Sequence, residues 1–328
     1  MIISRTPFRI SFFGGGTDYP QYYHKHGGSV LLTTINHYCY ITVHKLQPFF
    51  AHRFKASYAQ TETVLHPRQF QHPLIRECLL LLNIKQGLEI SHVADLPGRT
   101  GLGSSSSFTV GLLRALHALR EDRVTAEDLA REAIEIERQR VGDAGGHQDQ
   151  YAAAYGGFLK VDFLKDGGVT VHKVALAANC IRQLEANLLL FYTGVEQTSS
   201  EIAAEQIQKT SKNIYTLQAM REMVEEAEGL LKNGNDLDSF GRLLHRSWML
   251  KKRLATRISN SMIDEVYTLG MRAGALGGKI LGAGGRGFML LYVPGKRQQA
   301  VRSALRSLRE VPLSLTDDGS SVIFQTKE

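Results

Sequence analysis

The sequence predicts an α+β fold of two domains, each built around an antiparallel sheet. The chain has 328 residues, enough for two separate cores. Strand-like and helix-like segments occur in clumps rather than in strict alternation, which is typical of α+β proteins. The pattern changes near residue 185, so we predict an N-terminal domain over residues 1–185 and a C-terminal domain over residues 186–328.

The first half combines short apolar strands with two helical patterns. Its predicted strands are rich in β-branched and aromatic residues and end at turn formers; they cover residues 5–13, 38–46, 87–97, 156–164 and 167–176. Residues 72–84 are predicted to form a buried helix and residues 125–140 an amphipathic helix. The second helix opens with Thr125 followed by Asp128, the spacing of a capping box.

The second half opens with a strand, followed by long helices and a glycine-rich hairpin. We predict the strand over residues 186–194 and helices over residues 199–234 and 236–258. The segment GGKILGAGGRGFMLLYVPG, residues 277–295, is predicted to form a hairpin because its apolar runs flank a cluster of glycines. A helix from about residue 295 and a strand near residues 320–326 complete the prediction.

Composition and charge exclude several classes of protein. No apolar run approaches the roughly 18 residues that span a bilayer, and the N-terminus lacks the pattern of a secretory signal. The net charge of +7 favours small anionic ligands over nucleic acid, because no basic stretch is interleaved with aromatic residues. Three widely spaced cysteines, Cys39, Cys78 and Cys180, indicate reduced thiols in the cytoplasm.

The segment PGRTGLGSSSSFTVGLLRAL, residues 97–116, places glycines and serines between a predicted strand and a helix that begins near Ser105. Free backbone N–H groups and the helix dipole meet an anion in this arrangement. Glycine allows the backbone to approach a phosphate closely, and serine hydroxyls supply further donors or reach a metal. The alternative is a flexible turn with a serine N-cap. The loop is not a Walker A motif, since it lacks the terminal Lys-Ser/Thr.

A second segment, RTPFRISFFGGGTDYPQYY, spans residues 5–23 and ends a strand with three glycines, Thr17 and Asp18. An acidic residue after such a turn suits hydrogen bonds to the hydroxyls of a polyol. The alternative is a tight turn in which Thr17 or Asp18 caps a helix.

The third segment, EIERQRVGDAGGHQDQYAAAYGG, covers residues 135–157. Glu137 lies late on a helix, and Asp149 follows beyond a glycine-rich turn. Two carboxylates that converge across a turn suit a magnesium ligand and a base or orienting group. The alternative is that each is a solvated surface charge. A metal site at His147, or at His24 and His26, is disfavoured because no second histidine follows at ligand spacing.

These three segments, with GGKILGAGGRGF near the end, resemble the GHMP kinases over nearly the whole chain. The stretch PGRTGLGSSSS is similar to the family's loop around the phosphates of ATP. The resemblance implies a two-domain GHMP kinase fold with ATP and magnesium as cofactors and the active site in the cleft between the domains. It implies the following ATP-binding residues: Pro97, Gly98, Gly101, Leu102, Gly103, Ser104, Ser105 and Ser106.

The resemblance also implies roles for residues in the other segments. Ser105 and Glu137 would hold magnesium, Asp149 would face the acceptor hydroxyl, and Arg9 would lie near the reacting phosphoryl group. The expected substrate-binding residues are Gly15, Gly16, Thr17, Asp18, Gly284 and Gly285.

Within the family, the chain looks most like the sugar-1-kinase branch that includes heptose 7-phosphate kinases, with fucokinase domains as relatives. The expected reaction phosphorylates the anomeric hydroxyl of a sugar or sugar phosphate. Gly15 and Gly16 replace two large polar residues of galactokinases, which disfavours galactose. Gln197 stands where an arginine is expected in the heptose kinases, and Arg286 stands where glycine is common.

The basic cluster Lys251, Lys252 and Arg253, or Arg286, could substitute for that arginine, but the favoured interpretation of the cluster is a solvated helix face. Three other functions remain open: another sugar-1-kinase, a mevalonate- or homoserine-type kinase, and a sugar or nucleotide sensor without turnover. The expected partner is a small-molecule sugar or sugar phosphate, and the sequence leaves a homodimer open.

Overall fold

The computed structural model describes residues 1–194, 199–234 and 236–326. Its helices are α1 (Pro20–His26), α2 (Pro73–Leu81), α3 (Ser104–Leu119), α4 (Ala126–Ile134), α5 (Gln148–Tyr155), α6 (Ala178–Ala186), α7 (Ser199–Gln208), α8 (Ile214–Asn233), α9 (Leu237–Lys251), α10 (Ser261–Arg272) and α11 (Gln298–Ala304). Short 3₁₀ turns occupy Pro67–Gln69, Thr210–Lys212 and Gly295–Arg297, and a π-helical turn follows α4 at Glu135–Arg140.

The strands form two separate sheets. They are β1 (Ile2–Phe13), β2 (Gly28–Lys45), β3 (Phe54–Ser57), β4 (Thr61–Val64), β5 (Leu88–Ala94), β6 (Phe158–Phe163), β7 (Val169–Lys173), β8 (Leu188–Gly194), β9 (Gly277–Ile280), β10 (Gly287–Tyr292), β11 (Arg309–Glu310), β12 (Leu315–Thr316) and β13 (Ser321–Gln325). The larger sheet has the order β13-β1-β2-β5-β3-β4, with β12, β6 and β7 joined through β2, and the smaller sheet has the order β11-β8-β10-β9. The predicted α+β class is confirmed.

The long strand β2 organises the larger sheet. It pairs with β1 along most of its length, with β6 through its first half and with β5 through its second half. All strand pairs are antiparallel within the described ranges, except β3 with β5. Helix α3 packs on β1 and β2, and its buried face is apolar, so the start of α3 is held against the middle of β1, where Ser107 bonds to the carbonyl of Pro7.

The predicted domain boundary at residue 185 stays a prediction. The smaller sheet begins with β8 at Leu188, close to that boundary. Strands β12 and β13, however, pair with β2 and β1 of the larger sheet, so the end of the chain returns to the first half. The second half is therefore connected to the larger sheet at both of its ends.

Local sequence signals are confirmed at α4 and at the glycine-rich hairpin. Thr125 and Asp128 form the capping box at the start of α4. Strands β9 and β10 pair antiparallel around the glycine cluster. The continuous helix predicted over residues 199–234 is wrong, because Thr210–Lys212 interrupts it. Thr210 there donates its hydroxyl to the carbonyl of Gln206, four residues earlier, at 3.2 Å, and such local side-chain bonds compete with the helical backbone.

Candidate active site

A cavity lies where loops of the first half meet α9 and the β9–β10 hairpin of the second half. The loop after β1, the glycine loop before α3 and the turn before α5 form one side. Its lining includes Arg9, Ser11, Gly15, Gly16, Asp18, Tyr19, Arg99, Gly101, Gly103, Ser104, Ser105, Arg138, Gly146, Gln148, Asp149, Lys251, Lys279, Gly284 and Arg286. Most of the residues predicted to be functional are thus brought together.

The glycine loop enters α3 through a left-handed residue. Gly103 is the N-cap with φ 76° and ψ 22°, and no side chain caps the helix, so the predicted alternative of a serine N-cap is wrong. A Cβ at Gly101 would lie 2.2 Å from the carbonyl oxygen of Leu281, so only glycine allows this contact with the hairpin. The uncapped first-turn amides of a 16-residue helix at the cavity suit a phosphate.

The predicted ATP-binding residues do not all face the cavity. Gly101, Gly103, Ser104 and Ser105 line it. Pro97 and Gly98 are exposed at the start of the loop. The remaining two side chains are buried: Leu102 belongs to the core, and Ser106 lies beneath the loop.

Arg9 and Asp149, both predicted to be catalytic, form a bidentate ion pair. Arg9 Nε and one Nη donate to the two carboxylate oxygens of Asp149 at 2.8 Å each. The other Nη of Arg9 donates to the carbonyl of Gly101 at 2.5 Å. The pair therefore lies directly beside the glycine loop. The side chain of Asp149 is 22% exposed, which leaves it accessible to a ligand.

Asp18 is buried, and its carboxylate accepts the amide of Gly16 at 2.8 Å. The N-cap of α1 is Tyr19, so Asp18 does not cap α1; its carboxylate instead accepts the first amide of α5, from Gln148, at 3.4 Å. Burial raises the pKa of Asp18, although the amide of Gly16 opposes this effect. A Cβ at Gly146 would lie 1.8 Å from a carboxylate oxygen of Asp18, so the turn before α5 closes on Asp18 only with glycine there.

Thr17, Gly284 and Gly285 shape the loops around the cavity. The hydroxyl of Thr17 lies 2.8 Å from the carbonyl oxygens of both Gly14 and Ser29, so it ties the loop to β2. Gly284 lines the cavity with φ +118°. The amide of Gly285 donates to Ile258 at 3.0 Å. Of these three predicted substrate-binding residues, only Gly284 is at the cavity surface.

Glu137 lies in the π-helical turn and is 1% exposed, so the alternative of a solvated surface charge is wrong. One carboxylate oxygen accepts bonds from Ser106 at 3.0 Å and from Gln150 at 2.7 Å. Burial raises the pKa of Glu137, against the opposing charge of Arg138. The hydroxyls of Ser106 and Thr109 interact with Glu137, whereas Ser105 is exposed on the cavity wall.

The oxygen atoms near Glu137 fit a magnesium ion. The second carboxylate oxygen, Oε1, is buried without a hydrogen-bond partner in the structure, and a cation would satisfy it. Carboxylate and hydroxyl oxygens are the ligands that magnesium prefers. The described residues contain no cluster of three or more His, Cys, Asp or Glu side chains suited to a metal. Magnesium in phosphoryl-transfer sites is commonly held by one or two carboxylates together with substrate phosphates, so no such cluster is needed.

Two lysines of the second half enter the site. Lys251 is 5% exposed and donates to Gln206 at 3.0 Å, so its predicted position on a solvated helix face is wrong. Lys252 pairs with Asp264 at 3.0 Å, and Arg253 is exposed, as a solvated face requires. Lys279 is also buried and was missed from the sequence. The only feature of the sequence that marks Lys279 is its position after two glycines and before an apolar stretch.

Arg286 lies at the mouth of the cavity and is exposed. Gln197, the other departure from the expected pattern, lies outside the described residues. Within the described ranges, no helix has the length and apolar character needed to cross a membrane.

Comparisons with known proteins identify the family. Residues 73–157 match the GHMP kinases N terminal domain, and residues 220–311 match the GHMP kinases C terminal domain. The chain is 29% identical to D-glycero-alpha-D-manno-heptose 7-phosphate kinase of Campylobacter jejuni, over 93% of each protein. It is 26% identical to a galactokinase of Pyrococcus furiosus, over 94% of this chain and 93% of that protein.

A solved structure of a D-glycero-D-manno-heptose 1-phosphate kinase from Bacteroides thetaiotaomicron superposes with a TM-score of 0.82. Its sequence is 25% identical, and the superposition covers 100% of both chains. The two family matches lie in different halves of the chain, and residues of both halves line the cavity. The chain belongs to the GHMP kinase family and is an ATP-dependent sugar kinase.

Proposed function

We propose that this kinase transfers the γ-phosphoryl group of ATP to the anomeric hydroxyl of D-glycero-D-manno-heptose 7-phosphate, giving the 1,7-bisphosphate. The observation that carries this proposal is the Arg9–Asp149 pair, which joins the glycine loop to the predicted acceptor site. The similarity to a heptose 7-phosphate kinase over 93% of the chain supports this acceptor. We further propose that the enzyme acts in the cytoplasm, in agreement with its free, buried cysteines.

The first-turn amides of α3 and the glycine loop would bind the phosphates of ATP. Glu137, with a serine hydroxyl of the loop, would hold magnesium, which neutralises phosphate charge when bound. The family resemblance implies Ser105 for this hydroxyl, and the bond of Ser106 to Glu137 makes Ser106 a second candidate.

Positioning and charge stabilisation dominate phosphoryl transfer, because the transition state has little bonding to either oxygen. Asp149 orients the acceptor hydroxyl and accepts its proton as the new O–P bond forms. Arg9 fixes both oxygens of Asp149 and places positive charge beside the phosphates. Asp18 accepts hydrogen bonds from other hydroxyls of the sugar.

A single panel of acceptors tests this proposal. ADP release is measured by a coupled assay with heptose 7-phosphate, free heptose, fucose, galactose, mevalonate and homoserine. We expect the highest kcat/KM with heptose 7-phosphate, and ³¹P NMR of the product should show a phosphate on the anomeric carbon. A preference for fucose or galactose would assign another sugar-1-kinase, and a preference for mevalonate or homoserine would contradict the sugar-kinase proposal.

Gly146→Ala tests the role of Asp18. The new Cβ would lie 1.8 Å from a carboxylate oxygen of Asp18, so this carboxylate must move. Loss of a hydrogen bond to a charged group raises the acceptor KM by roughly 10- to 100-fold. The KM for ATP should change much less. Gly229→Ala in α8 is the matched control, because its Cβ would meet no atom within 4 Å. An unchanged acceptor KM in Gly146→Ala would remove Asp18 from sugar binding.

A further inference from the structure

Gly15 differs from the two glycines beside it. Gly14 and Gly16 have φ values of +78° and +108°, which side chains rarely adopt, and a Cβ at Gly14 would lie 2.0 Å from the carbonyl oxygen of Ser29. Gly15 has no such φ, and the nearest atom to a Cβ there is 3.6 Å away, an ordinary contact distance. Neither the backbone nor the packing requires glycine at this position.

Polar side chains surround the space left by Gly15. The side-chain amide nitrogen of Gln148, the hydroxyl of Ser11 and the ammonium of Lys251 lie 3.6, 3.7 and 4.0 Å from the Cβ position. Ser11 is only 5% exposed, and its hydroxyl has no hydrogen-bond partner. The amide oxygen of Gln148 is also buried without a partner. A buried polar atom without a hydrogen-bond partner costs free energy. A ligand that forms hydrogen bonds with Ser11 and Gln148 would remove this cost.

Two buried ammonium groups lie at the same place without an acidic partner. Lys251 donates to the amide oxygen of Gln206 at 3.0 Å and lies 3.4 Å from the carbonyl of Gly15. Lys279 donates to the carbonyls of Ser11 and Phe12 at 2.9 and 3.1 Å. Among the described residues, neither lysine forms an ion pair with a carboxylate. Desolvation lowers the pKa of Lys251 to about 8 and that of Lys279 well below its usual range.

The cavity carries an excess of positive charge. Its described lining carries six cationic side chains against the carboxylates of Asp18 and Asp149; the six are Arg9, Arg99, Arg138, Lys251, Lys279 and Arg286. Arg9 forms an ion pair with Asp149, and Arg138 donates to the carbonyl of Gly146. The two lysines are left on the side of Gly15, where Lys251 contacts the carbonyl of Gly15 and Lys279 that of Ser11.

We propose that this space, the Gly15 subsite (Gly15, Ser11, Gln148, Lys251 and Lys279), binds a phosphate monoester of the acceptor, remote from the hydroxyl that reacts at Asp149. The inference rests on the proposed function, since it names the part of the site that selects a phosphorylated sugar. Lys251 and Lys279 supply the charge, because a bound phosphate anion favours their protonated forms against the effect of burial, and Ser11 and Gln148 supply hydrogen bonds. A glycine at position 15 leaves the volume that the phosphate fills.

The test compares two acceptors that differ only in this phosphate. The ratio of kcat/KM for heptose 7-phosphate to kcat/KM for free heptose measures the contribution of the subsite. Lys251→Met should lower this ratio by roughly 10- to 100-fold, the effect of losing a charged hydrogen-bond donor. Lys252→Met is the matched control, because Lys252 pairs with Asp264 on the surface, and its ratio should equal the wild-type value.

Gly15→Glu and Gly15→Ala provide a second, independent change. The added carboxylate of Gly15→Glu would occupy the subsite and pair with Lys251, so the ratio should fall at least as far as in Lys251→Met. Gly15→Ala fills part of the space and should fold normally, because no contact or φ value opposes a Cβ. It should lower the ratio less than Gly15→Glu. Thermal unfolding of each variant verifies that the fold is retained.

The outcomes separate the inference from the proposed function. If wild-type enzyme prefers free heptose, or if the ratio is unchanged in Lys251→Met and Gly15→Ala, the subsite is wrong while the sugar kinase stands. If the KM for ATP rises instead, the lysines bind the nucleotide, and the inference is also overturned.

If no sugar is phosphorylated, the proposed function fails, and calorimetric titration with inorganic phosphate, at saturating non-hydrolysable ATP analogue, decides the inference. Binding that Lys251→Met abolishes and Lys252→Met retains would support the subsite. No binding, or equal binding by both variants, would overturn it.

Discussion

Asp149→Asn is expected to lower kcat by roughly 10²–10⁴ while ATP binding stays near normal. The substitution keeps the size of the side chain but replaces one oxygen with an amide. It removes one of the two acceptors that hold Arg9 and the proposed acceptor for the proton of the sugar hydroxyl. The amides of the glycine loop, which we propose bind the phosphates, are unchanged. Steady-state kinetics at saturating acceptor and calorimetry with an ATP analogue measure the two effects.

The control is Asp317→Asn, an exposed aspartate outside the cavity lining, which should retain wild-type kcat.

Arg9 and Asp149 should also behave as one unit, because each provides the hydrogen-bond partners of the other. Adding Arg9→Met to Asp149→Asn should therefore reduce kcat by much less than Arg9→Met does in the wild-type enzyme. An unchanged kcat in Asp149→Asn would remove this residue from the mechanism.

Glu137→Gln is expected to change activity and stability in opposite directions. The neutral amide is a weaker magnesium ligand, so kcat/KM for magnesium-ATP should fall by roughly 10²–10³, the range for loss of one charge-stabilising group. Excess magnesium and ATP should not restore the wild-type value. The variant retains local hydrogen bonds, because the amide of Gln150 has an unpartnered oxygen and can turn to accept a bond. Activity indistinguishable from wild type under these conditions would contradict the ligand assignment.

The stability of the metal-free protein should rise in the same variant. Burial raises the pKa of Glu137 in the folded state above its value in the unfolded state. The free energy of unfolding of the wild type therefore decreases as the pH rises from the unfolded-state pKa through the raised folded-state pKa, because the buried carboxyl must lose its proton. The glutamine does not titrate. The melting temperature of Glu137→Gln relative to wild type should therefore increase with pH across this window. Glu226→Gln on the exposed surface of α8 is the control and should follow the wild type in activity and pH dependence.

Sequence reasoning succeeded where a short segment determines its own geometry. The capping box at Thr125 was readable because its two partners are three residues apart. The three glycine-containing segments were readable because glycine marks places where the backbone must approach a ligand or another loop. The structure joins Arg9 to Asp149 in a contact between residues 140 positions apart, which residue type and order alone could not measure.

The sequence did not predict features that depend on packing between distant segments of the chain. Lys251 belongs to a run of three basic residues, a pattern typical of a solvated face, yet only this lysine turns inward. The return of β13 to β1 was also hidden, because strand pairing across most of the chain leaves no local signal.

The pairing of Ile2 with Gln325 has a consequence for how the protein is made. A ribosome synthesises β1 long before its neighbour β13, so the larger sheet stays incomplete until β13 has been made. A fragment ending near residue 185 would expose the unpaired edge of β1, which invites aggregation. Nascent chains should therefore need protection of that edge until β13 emerges.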